Sequence, residues 1–266
     1  MSNFKAIVMN IILAASIIVL ACMVTVGRDK YVCIDDCVNT MHTVDEPSGT
    51  AFIVEFEGPV MEMQTSIFMS KLAKVREQAV KGDRIILTMT SPGGSMVLGN
   101  RVWSELQSIK RDGIAIIGVT ESHALSAGYL IVSASHAFYS TDGALIGNVG
   151  VYNKVQIAKK TDVVVIGSSR TKELFGGDGV RSKEDIDMLK GRIKDMNTLF
   201  RTRILETRAG KIKNINKAFD GTPYDSRQAI KLGLSDGHAS VRDIVATAVL
   251  NDYNIKHVFS RRDVRF

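Results

Sequence analysis

The 266-residue chain is poor in the residues that build disulfide-rich scaffolds and disordered proteins. It has 3 cysteines and 4 prolines, and no cysteine follows Cys37. The fold of the larger, cysteine-free part therefore does not rest on disulfides. Hydrophobic residues make up 45% of the chain, which is enough to bury a sizeable core and excludes a largely disordered protein.

The sequence also lacks the common cofactor motifs. It has no HExxH zinc motif and no Walker loop, and the run GGDG at 176–179 lacks the lysine that a phosphate-binding loop carries. The net charge is +6, yet the lysines and arginines are spread along the chain without a dense basic run that includes aromatic residues. We therefore expect no metal, no nucleotide cofactor and no nucleic-acid partner.

One long apolar segment follows a short N-terminal tail, residues 1–5. It reads AIVMNIILAASIIVLACMVTVG at residues 6–27 and contains no charge. As a helix it would be about 33 Å long, enough to cross a bilayer core of about 30 Å, whereas the apolar part of a cleaved signal peptide has only about 7–15 residues. The segment predicts an uncleaved transmembrane anchor. Cleavage after a small residue and lipid attachment at Cys22 stay open as alternatives, and the flanking charges do not decide the orientation.

The rest of the chain divides into a polar stalk at 28–49, one domain at 50–250 and a C-terminal tail at 251–266. Cys33 and Cys37 lie in the stalk, where they form either a disulfide or two free thiols. Within the domain, apolar runs typical of strands alternate with segments of helical spacing, which predicts an α/β fold with a mostly parallel sheet. The predicted strands cover 51–58, 84–90, 114–119, 137–141 and 163–167. The predicted helices cover 62–80, 96–111, a segment that begins after Ser126, 182–208, 225–233 and 240–250.

The run ESHALSAGYL places Ser126 between a loop and the start of a helix. A serine in this position is either a nucleophile, partly stabilised by the unpaired N–H groups of the helix, or an ordinary N-cap. The run SPGG at 91–94 follows a predicted parallel strand, at the edge of the sheet where α/β proteins place their sites. Its glycines Gly93 and Gly94 allow backbone N–H groups to converge on one point, as an oxyanion site requires, or they form only a tight turn.

A nucleophilic serine needs a base within hydrogen-bond reach. His123 lies only three residues before Ser126, and a ring so near in a loop is rarely aligned with the hydroxyl. A lysine acts as a base only when burial lowers its pKa and leaves it neutral. Lys172 follows the predicted strand 163–167 by five residues and fits this requirement, although its spacing also fits a surface loop.

Four runs in this order, SPGG, ALSAGY, GALIGNVGV and FDGTPYDSRQAIKLGLSDG, together resemble the signal peptide peptidase A family. The resemblance covers roughly residues 50–240. It implies a fold related to Clp protease and crotonase, preceded by one transmembrane helix. It also implies that Ser126 is the nucleophile, that Lys172 is the general base, and that Gly94 donates the oxyanion N–H while Gly93 shapes the turn.

The chain departs from the family's pattern at several positions. Ala127 stands where the family has glycine, and its methyl group would narrow the pocket if it points there. Asn148 replaces a serine, and Ser169 replaces the glycine of the lysine motif. The segment between Val151 and Lys172 is shorter than is typical, so these departures bear more on the lysine than on the serine.

The resemblance predicts a membrane-anchored serine endopeptidase that cleaves extended peptides, such as remnant signal peptides, through an acyl-enzyme. It implies peptide substrates, a lipid bilayer and a homo-oligomeric ring as partners, and a catalytic domain on the extracytoplasmic side of a bacterial inner membrane. An inactive membrane scaffold of the same fold stays open as an alternative, as does a phage-type maturation peptidase, against which the anchor argues.

Overall fold

The computed structural model describes residues 48–152, 168–169, 180 and 182–259. The chain divides into two compact units, Met1–Asp45 and Glu46–Phe266, and all described residues belong to the second. The predicted anchor at 6–27, the stalk cysteines, the predicted strand at 163–167 and Lys172 lie outside the described residues. Among the described helices, none combines the length and the apolar character needed to cross a membrane.

The described elements alternate between strands and helices along most of the chain. The strands are β1 Gly49–Glu57, β2 Arg84–Thr90, β3 Ala115–Thr120, β4 His123–Leu125, β5 Ala137–Ser140, β6 Leu145–Gly147, β7 Pro223–Asp225, β8 Gly237–His238 and β9 Tyr253–His257. The helices are α1 Glu62–Arg76, α2 Met96–Arg111, α3 Ala127–Ser133, α4 Lys183–Arg208, α5 Ile215–Ala218, α6 Ser226–Leu232 and α7 Val241–Leu250.

The starts of α2 and α4 follow capping residues in the sequence. The Ser95 hydroxyl accepts the Leu98 N–H at the start of α2. At the start of α4, Ser182 and Asp185 form the predicted capping box, in which each side chain accepts the other residue's backbone N–H. These caps satisfy amide groups that the first helical turn leaves unpaired.

The main sheet has six strands in the order β8-β5-β3-β2-β1-β9, and every pair in it is parallel. This confirms the predicted α/β fold with a mostly parallel sheet. Alternation along β1 divides the core between the two faces: Phe52, Val54 and Phe56 pack in the main cluster, whereas Ala51 and Ile53 pack in a second cluster with residues of α7. Complete burial stabilises each large apolar side chain by about 1.5–3 kcal/mol.

The sheet extends past the predicted domain boundary. Residues 251–266 are predicted to form a C-terminal tail, but Tyr253–His257 form β9 and pair with β1, with Ala51 opposite Ile255. That part of the prediction is wrong because β9 is a short edge strand. Its residues are exposed or only half-buried, so they lack the apolar alternation that reveals a strand.

A second, three-stranded sheet in the order β4-β6-β7 stands beside the main sheet. Strands β4 and β6 run parallel, with Leu125 opposite Gly147, and β6 runs antiparallel to β7, with Gly147 opposite Pro223. Each of these strands has three residues, which is too short for a periodic pattern. Ser126 directly follows β4, so this small sheet places it at the carboxyl end of the main sheet.

Candidate active site

Two segments that are separate in the sequence meet where β2 ends. Ser91, the residue after β2, donates its N–H to the His123 carbonyl at 2.9 Å and accepts the Leu125 N–H at 3.0 Å. These bonds hold β4 alongside the run SPGG. Gly128 in α3 completes the contact, because a Cβ atom there would lie 2.8 Å from the Ser91 Cβ. The start of α3 therefore lies against the glycine turn.

Ser126 has a strained backbone conformation, with φ 50° and ψ −124°. An L-residue at positive φ costs on the order of 1–2 kcal/mol. The strain is held by two hydrogen bonds, in which Ser126 N–H donates to the Gly147 carbonyl at 2.9 Å and Leu130 N–H donates to the Ser126 carbonyl at 3.0 Å. Ser126 occupies the N-cap position of α3, but its side chain makes no capping hydrogen bond. A strained strand-to-helix turn of this kind presents a hydroxyl outward.

Gly93 approaches Ser126 more closely than any other residue type would allow. A Cβ atom at Gly93 would lie 2.6 Å from the Ser126 Cβ, 2.9 Å from the Leu125 carbonyl oxygen and 3.2 Å from the Ser126 Oγ. Its φ of +97° is also one that L-residues rarely adopt. The first glycine of the pair thus does more than form a turn, because it brings the loop backbone directly against the serine.

Gly94 is fixed by the segment after β1. The Val60 N–H donates to the Gly93 carbonyl at 2.8 Å, and the Ser95 N–H donates to the Val60 carbonyl at 2.9 Å. This bridge leaves the Gly94 N–H unused, and within the described ranges it donates to no acceptor. Gly94 is exposed, and a Cβ atom there would lie 2.5 Å from the Val60 carbonyl oxygen.

A second amide donor lies at the start of α3. Ala127 is the first residue of that helix, and its N–H belongs to the first turn, where intrahelical acceptors are missing. This amide is not among the predicted site residues, although its place directly after a serine at a helix start is a usable signal. The Ala127 methyl group lies 3.2 Å from where a Gly99 Cβ would be, and its residue is 1% exposed. The methyl group therefore packs in the core against α2.

No described residue lies in contact with the Ser126 hydroxyl as its general base. The Ser126 Oγ makes no hydrogen bond to a described residue, and Lys172 lies outside those residues. Two described histidines have other partners: His123 Nδ1 lies 2.8 Å from Ser122 Oγ, and His136 Nδ1 accepts the Ile116 N–H at 3.0 Å. Burial lowers the pKa of His136, which suits a neutral ring that accepts a backbone N–H.

A buried polar network links α3 to the segment 232–236 and to the end of α4. The Tyr129 hydroxyl donates to the Leu234 carbonyl at 3.0 Å, and burial raises the pKa of Tyr129 to about 12. Arg208, 1% exposed, donates to the Gly233 carbonyl and forms an ion pair with Asp236 at 3.1 Å. The run LGLSD thereby ties α4 and α6 to the helix that begins after Ser126. Within the same described part of the chain, no group of three metal-binding side chains is placed to hold an ion.

Comparisons with known proteins agree with this architecture. The chain is 23% identical over 210 residues to the "Probable protease SohB" of Haemophilus influenzae, an alignment that covers 76% of the chain and 58% of that protein. It is 23% identical over 211 residues to "Serine protease SPPA, chloroplastic" of Arabidopsis thaliana, which covers 74% of the chain and 30% of that protein. The chain thus spans less than two thirds of these relatives.

Solved structures show the same fold. The structure of the "1510-N membrane-bound stomatin-specific protease" superposes with a TM-score of 0.53 at 13% identity, and the match covers 79% of this chain and 98% of that one. A second structure of that protease, with a substrate peptide bound, gives a TM-score of 0.53 at 14% identity. The sequence model "Peptidase family S49" matches residues 108–252, more than half of the chain and a range that includes Ser126. With this match across the serine turn, α3 and the polar network behind it, the chain belongs to peptidase family S49.

Proposed function

We propose that the chain is a serine endopeptidase in which Ser126 attacks a peptide carbonyl and forms an acyl-enzyme. The contact between Gly93 and Ser126 carries this proposal. A loop that accommodates no side chain lies against a strained, half-buried serine whose hydroxyl has no capping role. A structural turn requires neither the close approach nor the strain, whereas acyl transfer requires both a presented hydroxyl and a backbone donor beside it.

Gly94 and Ala127 supply the oxyanion donors in this proposal. The two amides belong to segments that the Ser91 and Val60 hydrogen bonds hold in place. Donors fixed before the reaction stabilise the charge that develops on the carbonyl oxygen, and one such donor contributes a factor of about 10²–10³ in kcat. Gly93 allows the loop backbone to lie directly against Ser126, and Gly94 provides the oxyanion N–H.

Lys172 is proposed as the general base that takes the Ser126 proton and later returns it to the leaving amine. Its support is the sequence motif Ser168-Ser169-Arg170-Thr171-Lys172, together with the two solved structures of the stomatin-specific protease, one of a serine-to-alanine variant and one of a lysine-to-alanine variant. The amine must be neutral to act, so the proposal requires that it is shielded from water.

The finer biological setting is also a proposal. The apolar segment 6–27 would anchor the domain in a bilayer, with the domain on the extracytoplasmic side of a bacterial inner membrane. The substrates would be extended peptides such as remnant signal peptides, and the subunits would form a homo-oligomeric ring. The resemblance to signal peptide peptidase A supports these assignments, and the description "membrane-bound" of the stomatin-specific protease is consistent with the anchor.

A comparison of wild type with Ser126→Ala tests the proposal. The full chain in detergent micelles or vesicles is assayed with a fluorogenic apolar peptide, and we expect Ser126→Ala to lower kcat by a factor on the order of 10⁶. A serine-directed fluorophosphonate should label wild type on the peptide that contains Ser126. The matched control is Ser70→Ala, an exposed serine on α1, which should keep full turnover. Equal turnover of wild type and Ser126→Ala would instead indicate an inactive scaffold.

A further inference from the structure

We propose that Asn148 is a positioning residue for Ser126, an inference that rests on the proposed role of that serine. Asn148 directly follows Gly147, whose carbonyl accepts the Ser126 N–H at 2.9 Å. Among the described non-glycine residues, only Ser126, Asn148 and Asp252 have a positive φ. One strained residue, Ser126, therefore donates this hydrogen bond, and another, Asn148, directly follows the residue that accepts it.

Asn148 is anchored twice to the same turn. Its backbone N–H donates to the Thr222 carbonyl at 3.0 Å, and its side-chain Nδ2 donates to the Gly221 carbonyl at 2.7 Å. The carbonyls of the consecutive residues Gly221 and Thr222 thus accept the side-chain and backbone N–H groups of Asn148. This double anchor fixes the direction in which the Gly147 carbonyl points, because that carbonyl shares a peptide plane with the Asn148 N–H.

The turn to which Asn148 is anchored is itself held firmly. The Thr222 N–H donates to Asp220 Oδ1 at 2.8 Å, and the Tyr224 hydroxyl donates to the same carboxylate at 2.9 Å. The Thr222 hydrogen bond is the main reason that the pKa of Asp220 is lowered to about 2. A continuous series of hydrogen bonds thereby runs from the run FDGTPY to the Ser126 backbone.

Asparagine suits this position for two physical reasons. It tolerates the left-handed region better than most residues, here at φ 51°. Its side-chain amide also donates to the Gly221 carbonyl while its backbone N–H donates to the Thr222 carbonyl. Asn148 therefore combines a backbone conformation that asparagine tolerates with the side-chain anchor that holds the Ser126 backbone in its strained geometry.

The tests are Asn148→Asp and Asn148→Gly. The aspartate keeps the side-chain size but cannot donate to the Gly221 carbonyl when ionised, whereas glycine keeps the positive φ without strain and removes the side-chain donor. The matched control is Asn251→Asp in the turn before β9, where Nδ2 donates to the Thr247 carbonyl at 2.6 Å. This substitution also removes a side-chain amide donor from a backbone carbonyl, but outside the site.

The first readout is amide hydrogen exchange of the segment that contains Ser126, which does not depend on catalysis. We expect exchange of the Ser126 amide to become about tenfold faster in both Asn148 variants, the effect of losing about one net hydrogen bond, and to be unchanged in Asn251→Asp. The second readout is peptide hydrolysis. A displaced nucleophile should lower kcat by up to about 10²-fold with little change in KM and with the midpoint of the pH profile unmoved.

The outcomes separate the two proposals. Unchanged exchange at Ser126 in both Asn148 variants overturns the positioning role, whether or not the chain hydrolyses peptides. Faster exchange throughout the domain, matched by Asn251→Asp, overturns it as well, because that pattern reports general destabilisation. A wild-type chain without turnover contradicts the proposed function alone, since the exchange measurement still decides the role of Asn148.

Discussion

The substitution Gly93→Ala tests the contact on which the proposed site depends. The added Cβ atom would lie 2.6 Å from the Ser126 Cβ, whereas carbon atoms in favourable contact are about 3.5–4.0 Å apart. The glycine turn and the serine must therefore separate by about 1 Å. The obstruction does not relax easily, because the alanine also meets the Leu125 carbonyl oxygen at 2.9 Å, and that atom belongs to the backbone of β4.

The expected loss of activity follows from this displacement. A misplacement of about 1 Å in an active site costs roughly 10²-fold in rate, which corresponds to about 2.7 kcal/mol of barrier. We expect kcat for a fluorogenic peptide to fall by about this factor. The free energy of unfolding should also fall by about 1–2 kcal/mol, because alanine resists the φ of +97°. Urea denaturation, followed by circular dichroism, measures the second effect separately.

Gly82→Ala is the matched control for Gly93→Ala. Gly82 has a φ of +102°, and a Cβ atom added there would meet no other atom within 4 Å. It precedes β2, at the opposite end of that strand from the SPGG run. It should reproduce the loss of stability and keep the wild-type kcat. Near-normal kcat in Gly93→Ala would refute the argument. An equal loss of kcat in Gly82→Ala would refute it too, because strain alone would then explain the effect.

Two further predictions concern pH. If Lys172 is the base, kcat should rise from about pH 5 to about pH 9 as its amine loses a proton, and Lys172→Ala should be as inactive as Ser126→Ala; a flat profile, when chemistry limits the rate, would argue for another base. Burial alone would raise the pKa of Asp236, but hydrogen bonds and the charge of Arg208 outweigh it and lower that pKa. Asp236 therefore stabilises the fold above its unfolded pKa of about 3.9, and this stabilisation is lost as the pH falls through the lower folded pKa. Asp236→Asn should cost about 3–5 kcal/mol at neutral pH by leaving the buried Arg208 without a charged partner, and should flatten the loss of unfolding free energy on acidification; unchanged denaturant curves would contradict this.

Sequence patterns were reliable where a segment was long and its burial regular. The bounds predicted for the strand 84–90 and the helix 96–111 agree with the structure, because continuous apolar residues mark the first, and a capping serine with helical spacing marks the second. Short elements escaped prediction for the opposite reason. Strand β4 has three residues and β9 lies exposed at the sheet edge, so neither has a periodic pattern to detect.

The candidate site was predictable as a set of residue types and not as a geometry. The glycine pair and Ser126 could be selected because each precedes a helix and follows a strand of a parallel sheet. The Ala127 amide and Asn148 were not selected as site residues, since their relevance depends on hydrogen bonds to segments distant in the chain. Lys172 stays a prediction from its motif.

The amino-acid sequence by itself determined the α/β class and most helix starts, because propensity, periodicity and capping act over a few residues. Tertiary structure alone decided that Gly93 lies against Ser126 and that Asn148 is tied to the turn at Gly221. Both contacts arise from the pairing of strands β2, β4, β6 and β7. The register of such long-range pairing is set by packing of the whole domain, so no local pattern encodes it.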